Sequence, residues 1–439
     1  MKKKYSIAFM CITLCFIIIG SYLIFTNKQI VKIMPMKVFS QKEPITFMSS
    51  WGADSRALKI NKIFNQMQRE NQEISIENTS IAGSEFLYSL KMDFASGREP
   101  DIFGLWPGSY IDLLIKEGRV ADLTDLLEAN PVWYRQFNES TWESVTVDGR
   151  IYGLPIELIY EGLFINRDLF ELYKVKVPTT YEELLEAIDV FKANGIIPIA
   201  YNQTAEGSYL YQNMVMKLGG KEDIEHPFDT DGKLKPCFKQ GMYYLKELYE
   251  RGAFPENWYE IDDNKRNELF FDKKAAMIVQ GSWLIGDYGL SSMNRTIDVM
   301  PFPNMPNGKA DSSAIIYGCG NGILHISSKA WNHLGRRKEC INVLKTLTNP
   351  KQVAVLAQSA GFISNIDLGE YTPQETIMSQ KGKALIEHAS ERVGAVDWYI
   401  NRNIWENVMI KMFPKILIGE MTPEALCLAV EEKMQSLNE

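Results

Sequence analysis

The segment from Asp148 to Asp168 constrains the fold more than any other part of this 439-residue chain. Its first two residues, Asp148-Gly149, are typical of a two-residue hairpin turn, and strand-forming residues flank them on both sides. From Pro155 to Asn166 the residues are mostly β-branched or aromatic, after which a helical pattern begins. A hairpin followed by one long strand predicts a segment that crosses between two lobes. Such a crossing places Tyr160 and Glu161 at the mouth of a cleft.

Length and composition narrow the class of protein. The chain is too long for one hydrophobic core, since single cores stop growing at about 250–300 residues, and two lobes are expected. The net charge of −8 argues against a non-specific nucleic-acid partner. The six cysteines are too few for a disulfide scaffold and are expected to be small buried residues, although a bridge outside the cell stays open. The four histidines show no ligand spacing, so neither a metal nor a cofactor is expected.

The N-terminus carries the features of a membrane-targeting segment. Three lysines, Lys2 to Lys4, precede an apolar run from Tyr5 to Phe25 of about 21 residues. This run is long enough to cross a bilayer and longer than the apolar part of a secretory signal, which is about 7–15 residues. No small-residue cleavage pattern follows it. Residues 1–27 therefore predict an uncleaved transmembrane anchor, with a cleaved signal peptide as the alternative, and residues 28–43 predict a polar stalk.

The folded part begins with alternating strands and helices. From Ile45 to the loop at Trp106 the order is strand, helix, strand, helix, strand, which predicts a doubly wound α/β lobe with a parallel sheet. In such sheets ligands bind beyond the carboxyl ends of the strands. Trp51 and Trp106 lie in strand-to-helix loops, and Trp283 follows the apolar strand Ala275–Val279 in the same topological place. We therefore expect these three tryptophans on the rim of the cleft.

Seven short motifs carry a family resemblance, and they are spread over about residues 45–436. They are Gly97–Ile102, Gly149–Pro155, Phe164–Phe170, Pro178–Leu184, Ala275–Trp283, Pro301–Pro303 and Gly419–Ala425. In this order the chain resembles an extracellular solute-binding protein of an ABC importer, of the sugar-binding, maltose-binding-protein-like group. Each motif is short, and it is the shared order that makes the resemblance specific. The chain departs from the family pattern at two points. The usual lipid-anchor cysteine is absent, and the second polar residue that some members carry just after the rim tryptophan is here only Ser109.

The resemblance implies a two-lobe α/β fold, periplasmic-binding-protein-like and of the class II type. Each lobe is expected to be a doubly wound sheet, with a helical C-terminal part and, from the anchor, an N-terminal transmembrane helix. The first lobe is expected to hold residues 44–155 plus 301–346, and the second 156–300 plus 347–439. Crossovers between the lobes are expected near Pro155–Tyr160, Asp298–Phe302 and Leu344–Pro350.

A sugar site needs flat aromatic surfaces for the C–H faces and polar groups for the hydroxyls. The ligand-binding candidates are Trp51, Asp54, Glu85, Trp106, Tyr160, Glu161, Trp283, Tyr317, Trp398 and Trp405. Any one tryptophan could instead pack in the core. Asp54 and Glu85 could be helix caps, and Glu161 could lie on a solvated surface. Trp398 and Trp405 are alternatives for a single aromatic contact that the C-terminal part of the chain is expected to supply.

The resemblance also implies the function. A monomer is expected to capture a sugar or oligosaccharide between hinged lobes and to deliver it to ABC permease subunits. It would work on the extracellular face of the cell membrane, held by its helix or secreted after cleavage. No catalytic residue is expected. The alternatives are a membrane-tethered ligand sensor and a glycoside hydrolase that uses two of Glu157, Glu161 and Asp101, for which the sequence shows no carboxyl spacing.

Overall fold

The computed structural model describes residues 43–52, 55–81, 83–287, 296–320, 322–359 and 361–438. The strands are β1 (Ile45–Ser49), β2 (Ile76–Ser80), β3 (Ile102–Gly104), β4 (Thr146–Val147), β5 (Arg150–Ile151), β6 (Leu154–Pro155), β7 (Glu157–Asn166), β8 (Ile197–Ile199), β9 (Ala275–Gly281), β10 (Ile297–Met300), β11 (Ile315–Cys319), β12 (Ile323–Ile326), β13 (Ile363–Ser364) and β14 (Arg392–Val393).

The α-helices cover most of the remaining described residues. They are α1 (Ser55–Glu70), α2 (Gly83–Ala95), α3 (Ser109–Lys116), α4 (Thr124–Glu128), α5 (Pro131–Tyr134), α6 (Arg167–Tyr173), α7 (Tyr181–Ala193), α8 (Tyr209–Glu225), α9 (Pro236–Glu250), α10 (Asp263–Phe271), α11 (Leu284–Asp287), α12 (Ser328–Asn332), α13 (Leu334–Leu347), α14 (Pro350–Ala357), α15 (Ile377–His388), α16 (Arg402–Ile404), α17 (Lys411–Leu417) and α18 (Pro423–Asn438). A π-helical segment, Trp405–Ile410, joins α16 to α17 where the sequence pattern predicts one continuous helix.

The first sheet has five strands in the order β2-β1-β3-β12-β6. Strands β2, β1 and β3 are parallel, as the strand–helix alternation predicts. The Asp101 carboxylate accepts hydrogen bonds from the backbone nitrogen of Thr46 at 2.8 Å and from its hydroxyl at 3.0 Å. This side chain therefore connects the start of β3 to β1. The two other strands complete the sheet, with β12 antiparallel to both β3 and β6.

The second sheet is built around β7, all ten residues of which are buried. Strands β9, β10, β11 and β13 pair with it in antiparallel orientation. Strands β8 and β14 add parallel pairs to β9 and β11. A strand that is buried over its whole length needs neighbours on both faces. The prediction of a long buried strand ending at Asn166 is confirmed, but the sheet is mixed rather than mainly parallel.

The predicted hairpin is present as β4 and β5. Thr146 faces Ile151, and Val147 faces Arg150 in antiparallel register. The two turn residues both have positive φ, 49° for Asp148 and 74° for Gly149, which is the geometry of the turn that this dipeptide favours.

Two segments lie in a different lobe from the one predicted. Strand β11 belongs to the second sheet, because Tyr317 pairs with Tyr160 of β7. Helix α14 packs on α1, beside the first sheet. The chain therefore crosses between the sheets at Pro155–Glu157, again between Cys319 and Ile323, and a third time between Ala357 and Ile363 of β13. Asp298–Phe302, in contrast, begins within β10 of the second sheet. Strand β11 is short and broken by glycine, so its pattern did not predict a strand. The division into lobes otherwise stays a prediction.

Two large hydrophobic cores hold these sheets and their helices, and a smaller one lies under α2 and α3. Cys237, Cys319 and Cys340 are buried within them as free thiols. Burial raises the pKa of the Cys319 thiol to about 11. The interpretation of these cysteines as small apolar residues agrees with their positions.

The transmembrane part of the predicted fold class needs correction. Among the helices of the described ranges, none is both long and apolar enough to cross a membrane. The predicted anchor over residues 1–27 and the stalk up to residue 42 lie outside the described residues. Within the described residues, the fold is the two-lobe α/β arrangement.

Leu163→Ala tests the central role of β7. Leu163 is fully buried, so the truncation leaves a cavity and is expected to lower the free energy of unfolding by about 2–5 kcal/mol in denaturant titrations. The matched control is Leu172→Ala, whose side chain is 67% exposed and which is expected to change stability by about 0.5 kcal/mol or less. Equal losses in the two variants would contradict the position of β7.

Candidate functional site

Two of the predicted rim tryptophans follow strands of the first sheet, but they lie in different surroundings. Trp51 follows β1 and is buried in the core of the first sheet. Trp106 follows β3 and is half-buried, with its ring 5.9 Å from that of Phe86. Trp106 is therefore the one of the two that borders open space, while Trp51 has the contacts of a core residue.

The two predicted carboxylates of the first lobe give less information about a binding site. Glu85 lies in the first turn of α2 and is exposed. A carboxylate in that turn is favourably placed toward the helix dipole, which fits the alternative of a helix-terminus role. Asp54 lies outside the described residues.

On the second lobe, Glu161 lies in the middle of β7 and is 1% exposed. Its Oε2 atom accepts a hydrogen bond of 2.9 Å from the Nδ2 atom of Asn213 on α8. The same helix begins at Tyr209, whose ring meets the Trp283 ring edge to face at 5.5 Å. The N-terminal end of α8 thus brings Glu161 and Trp283, two predicted residues, to one wall of the cleft.

Glu206 extends this wall and is held by two donors. Its Oε2 atom accepts hydrogen bonds from Nη2 of Arg266 at 2.9 Å and from Nε2 of Gln280 at 2.8 Å. Arg266 is only 1% exposed and also contacts Asp263 at 3.1 Å. A buried guanidinium needs paired carboxylates, so the ion pair with Arg266 holds the Glu206 side chain in one position.

The two lobes meet at Arg402. Its backbone nitrogen donates a hydrogen bond of 2.8 Å to the hydroxyl of Ser109, next to Trp106 in the first lobe. Its guanidinium lies 5.7 Å from the centre of the Trp106 ring and pairs with the carboxylates of Asp397 and Glu406. The polar residue Ser109, a departure from the family pattern, therefore serves as a contact between the lobes.

The other predicted aromatics occupy three kinds of surroundings. Trp398 is half-buried, and its backbone lies against Gly108, where an added Cβ would be only 3.3 Å away. Tyr317 is half-buried under the Arg392 guanidinium. Tyr160 is 1% exposed, and its ring packs closely on Gly382 of α15. Trp405 is fully buried in the core of the second sheet. Of these four, Trp398 lies nearest to Trp106.

The carboxyl groups of this wall influence one another. Burial raises the pKa of Glu161 well above its ordinary value, and the Asp397 and Glu206 carboxylates add to the rise. Burial also raises the pKa of Asp397, against the opposing effect of Arg402. The pKa of the Tyr209 hydroxyl is raised by burial and then by the same three carboxylates. These side chains therefore form one electrostatic unit.

A small cavity lies where the lobes meet. Residues 105–111 line it from the first lobe, and Asp397 and Arg402 line it from the second. It is far smaller than the pockets of roughly 300–1,000 Å³ that enclose drug-sized ligands. A ligand as large as one sugar ring therefore needs the lobes to move apart.

Five residues of this wall were missed from the sequence: Glu206, Tyr209, Asn213, Asp397 and Arg402. Glu206 lies between strand β8 and helix α8, and Tyr209 is the first residue of α8, so both are close to the strand-to-helix position that identified the tryptophans. Asp397 directly precedes Trp398 in the sequence. Arg402 and Asn213 had no comparable sequence signal, because their positions depend on the packing of the C-terminal helices. Within the described ranges, no group of three or more His, Cys, Asp or Glu side chains could hold a metal ion.

Comparison with known families gives the class of protein. The model of the bacterial extracellular solute-binding proteins matches residues 53–353, which is more than half of the chain. The chain belongs to this family. The resemblance seen in its motifs is thereby confirmed, and the members of this family are described as bacterial extracellular solute-binding proteins.

Similar proteins extend the comparison for this solute-binding protein. The multiple sugar-binding protein of Streptococcus mutans is 25% identical over 297 residues, which cover 65% of this chain and 68% of that protein. The galactooligosaccharide-binding protein of Bacillus subtilis is 26% identical over 244 residues, 52% of each chain. A solved structure on xylan utilization by Caldanaerobius polysaccharolyticus superposes with a TM-score of 0.80 at 24% identity, over 89% of this chain and 100% of that one. This last likeness shows the two-lobe fold.

Glu161→Gln tests the electrostatic strain in this wall. The pKa of Glu161 in the folded protein lies above that in the unfolded chain, so its contribution to stability falls as pH rises through the unfolded value of about 4.3 and on to the folded one. The variant removes this loss. We expect it to be more stable than the parent at pH 8 by about 1 kcal/mol or more, since one pKa unit is worth about 1.4 kcal/mol, and to gain little at pH 4.

The control for this experiment is Glu260→Gln at an exposed position. It is expected to follow the parent protein at both pH values in thermal unfolding. A gain for Glu161→Gln that is the same at pH 4 and pH 8 would contradict the assignment of the raised pKa to this side chain.

Proposed function

We propose that this protein captures a sugar or oligosaccharide between its two lobes and delivers it to the membrane permease of an ABC importer. The observation that carries the proposal is the wall at which the lobes meet. Trp106 and Asp397 line the cavity there, and the backbone of Trp398 lies against Gly108 beside them. Tyr209 contacts the Trp283 ring and lies close enough to Glu161 and Asp397 for their charges to raise its pKa. Aromatic faces and hydrogen-bonding carboxylates are the two groups that carbohydrate rings require.

The names of the similar proteins support the same ligand class. The relative from Streptococcus mutans is described as a multiple sugar-binding protein, and the one from Bacillus subtilis as a galactooligosaccharide-binding protein. The matched segments cover about two thirds and about half of those proteins, so the ligand of the whole protein is part of this proposal. A protein that works outside the cytoplasm fits the family description, and we propose that it acts as a monomer.

Binding is proposed to involve a hinge motion of the lobes. The contact between Arg402 and Ser109 closes the cleft, while three chain segments connect the sheets, near Pro155–Glu157, between Cys319 and Ile323, and between Ala357 and Ile363. Short connections of this kind absorb the backbone changes of domain closure. Separation of Arg402 from Ser109 opens the site to a ligand, and contacts from both lobes then favour the closed form.

The carboxyl groups considered for a glycoside hydrolase have other partners. Asp101 is bound to Thr46 within the first sheet. Glu157 forms a buried ion pair of 2.6 Å with Arg56. Only Glu161 of the three belongs to the wall of the cleft. The three groups therefore do not form the pair of carboxyls that glycoside hydrolysis uses, and the proposed function assigns none of them a catalytic role.

A thermal-shift screen of the purified chain against mono- and oligosaccharides tests the proposal. A ligand that binds the folded state stabilises it by about 2.7 kcal/mol at a concentration 100 times its Kd. We expect at least one neutral oligosaccharide to raise the unfolding temperature in proportion to the logarithm of its concentration. The absence of any shift across maltose, raffinose, galactose, xylose and chitin oligomers would contradict the proposal.

Trp283→Ala tests the aromatic wall itself. Loss of the indole removes a stacking surface, so the affinity for the sugar found in the screen is expected to fall more than tenfold in calorimetry, while thermal unfolding changes little. Tyr259→Ala, which removes an aromatic ring that is 66% exposed, is the control and is expected to bind like the parent. Unchanged affinity in Trp283→Ala would remove this residue from the site.

A further inference from the structure

The three crossings between the sheets converge on Ile156 and Glu157. The backbone nitrogen of Ile156 donates a hydrogen bond of 2.8 Å to the backbone oxygen of Gly322, in the second crossing. The backbone oxygen of Ile156 accepts one of 3.1 Å from the backbone nitrogen of Asn365, which directly follows β13. Glu157 itself pairs with Ser364 of β13. The three crossings are therefore joined to one another and form a single hinge around these two residues.

The second crossing lies directly against the start of β7. A Cβ atom at Gly322 would be only 2.3 Å from the Cβ atom of Glu157, and one at Gly320 only 2.5 Å from a methyl group of Ile159. Atoms that are not bonded to each other do not approach so closely, so both positions require glycine. The place of Glu157 therefore determines where the second crossing can lie.

Helix α1 of the first lobe holds this hinge with two cationic side chains. Nη1 of Arg56 lies 2.6 Å from Oε1 of Glu157, and the two side chains are only 7% and 1% exposed. Nζ of Lys59 donates a hydrogen bond of 2.9 Å to the hydroxyl of Ser359, a buried residue of the third crossing. Residues three positions apart lie on the same side of a helix. One side of α1 therefore contacts both the first and the third crossing.

The buried ion pair between Arg56 and Glu157 contributes geometry rather than stability. Removing two charges from water offsets most of their attraction, and apolar side chains of similar volume in the same place often leave a protein equally stable or more stable. An ion pair adds direction, because a guanidinium and a carboxylate bond only in a fixed relative orientation. Apolar side chains impose no such orientation on each other.

We infer that the Arg56–Glu157 ion pair sets the orientation of the second lobe relative to the first, and that Arg56 and Lys59 are positioning residues for ligand binding. This role rests on the proposed function, because it acts through the hinge motion of the lobes. Neither cation needs to touch the ligand. A protein whose lobes take the binding-competent orientation for only a fraction of the time binds more weakly by that fraction.

The double variant Arg56→Met/Glu157→Met tests this role without leaving a buried charge unpaired. Fluorescent labels on non-natural amino acids in place of Gln66 and Glu186, exposed on the first and the second lobe, report the distance between the lobes by single-molecule energy transfer in the full chain. We expect a broader distribution of distances than in the equally labelled parent, with a denaturation midpoint that is unchanged or higher. An unchanged distribution would overturn the inference. Failure of the variant to fold would also overturn it, because the ion pair would then serve stability.

The matched control is Lys265→Met/Glu268→Met. It removes an ion pair of 2.8 Å on the exposed surface of α10 and makes the same change in charge. We expect it to keep the distance distribution of the parent, and equal broadening would contradict the assignment to the hinge. Lys59→Met is a second test, which removes the contact of α1 with the third crossing and is expected to broaden the distribution in the same direction.

The effect on binding is measured by calorimetry with the sugars of the thermal-shift panel. For a sugar that binds the parent, we expect the Kd of Arg56→Met/Glu157→Met to be at least about tenfold higher and that of the control to be unchanged. An unchanged Kd beside a broadened distribution would remove Arg56 as a positioning residue for binding. If no sugar of the panel bound the parent, the proposed function would fail for that panel, while the distance measurement would still decide whether the ion pair orients the lobes.

Discussion

The burial of β7 along its whole length is the constraint on which the rest of the structure depends. In ten consecutive residues without solvent an unpaired polar side chain is costly, and three of the polar side chains of β7 have partners on other elements. Glu157 pairs with Arg56, Glu161 accepts a hydrogen bond from Asn213, and Asn166 donates to two backbone oxygens at 2.8 Å. Each of these contacts attaches a different element to the strand, so β7 organises both the sheet around it and one wall of the cleft.

The site follows from the same strand by way of electrostatics. Glu161 is buried because β7 is buried. This burial raises its pKa, and the nearby carboxylates of Asp397 and Glu206 raise it further. A wall of this kind costs stability in the folded protein, and such costs are typical of binding and catalytic sites. The contact of Arg402 with Ser109 joins the wall to the opposite lobe. Closure and ligand recognition therefore use the same group of side chains.

The local features of this protein could be predicted from its residues, and the division between lobes could not. Turn chemistry at Asp148-Gly149 and the apolar run of β7 are nearest-neighbour properties, and both were confirmed. Strand β11 was missed because the five residues from Ile315 to Cys319 do not alternate between apolar and polar and include Gly318. Trp51 was predicted on the rim from its position after a strand, and Trp405 as a tail aromatic of the site, but both rings are buried in the cores. Position beside a strand end does not determine the direction in which a side chain points.

By itself, the sequence determined the α/β class, the central strand, the hairpin and the family, since each rests on periodicity or on short motifs in a fixed order. Only the tertiary structure decided which aromatic and acidic side chains share a cleft. Glu161, Asp397 and Arg402 are separated by more than 200 residues at the widest, and α8 and the C-terminal helices bring them together. Long-range packing and the desolvation of charge depend on the whole fold, so no local pattern encodes them.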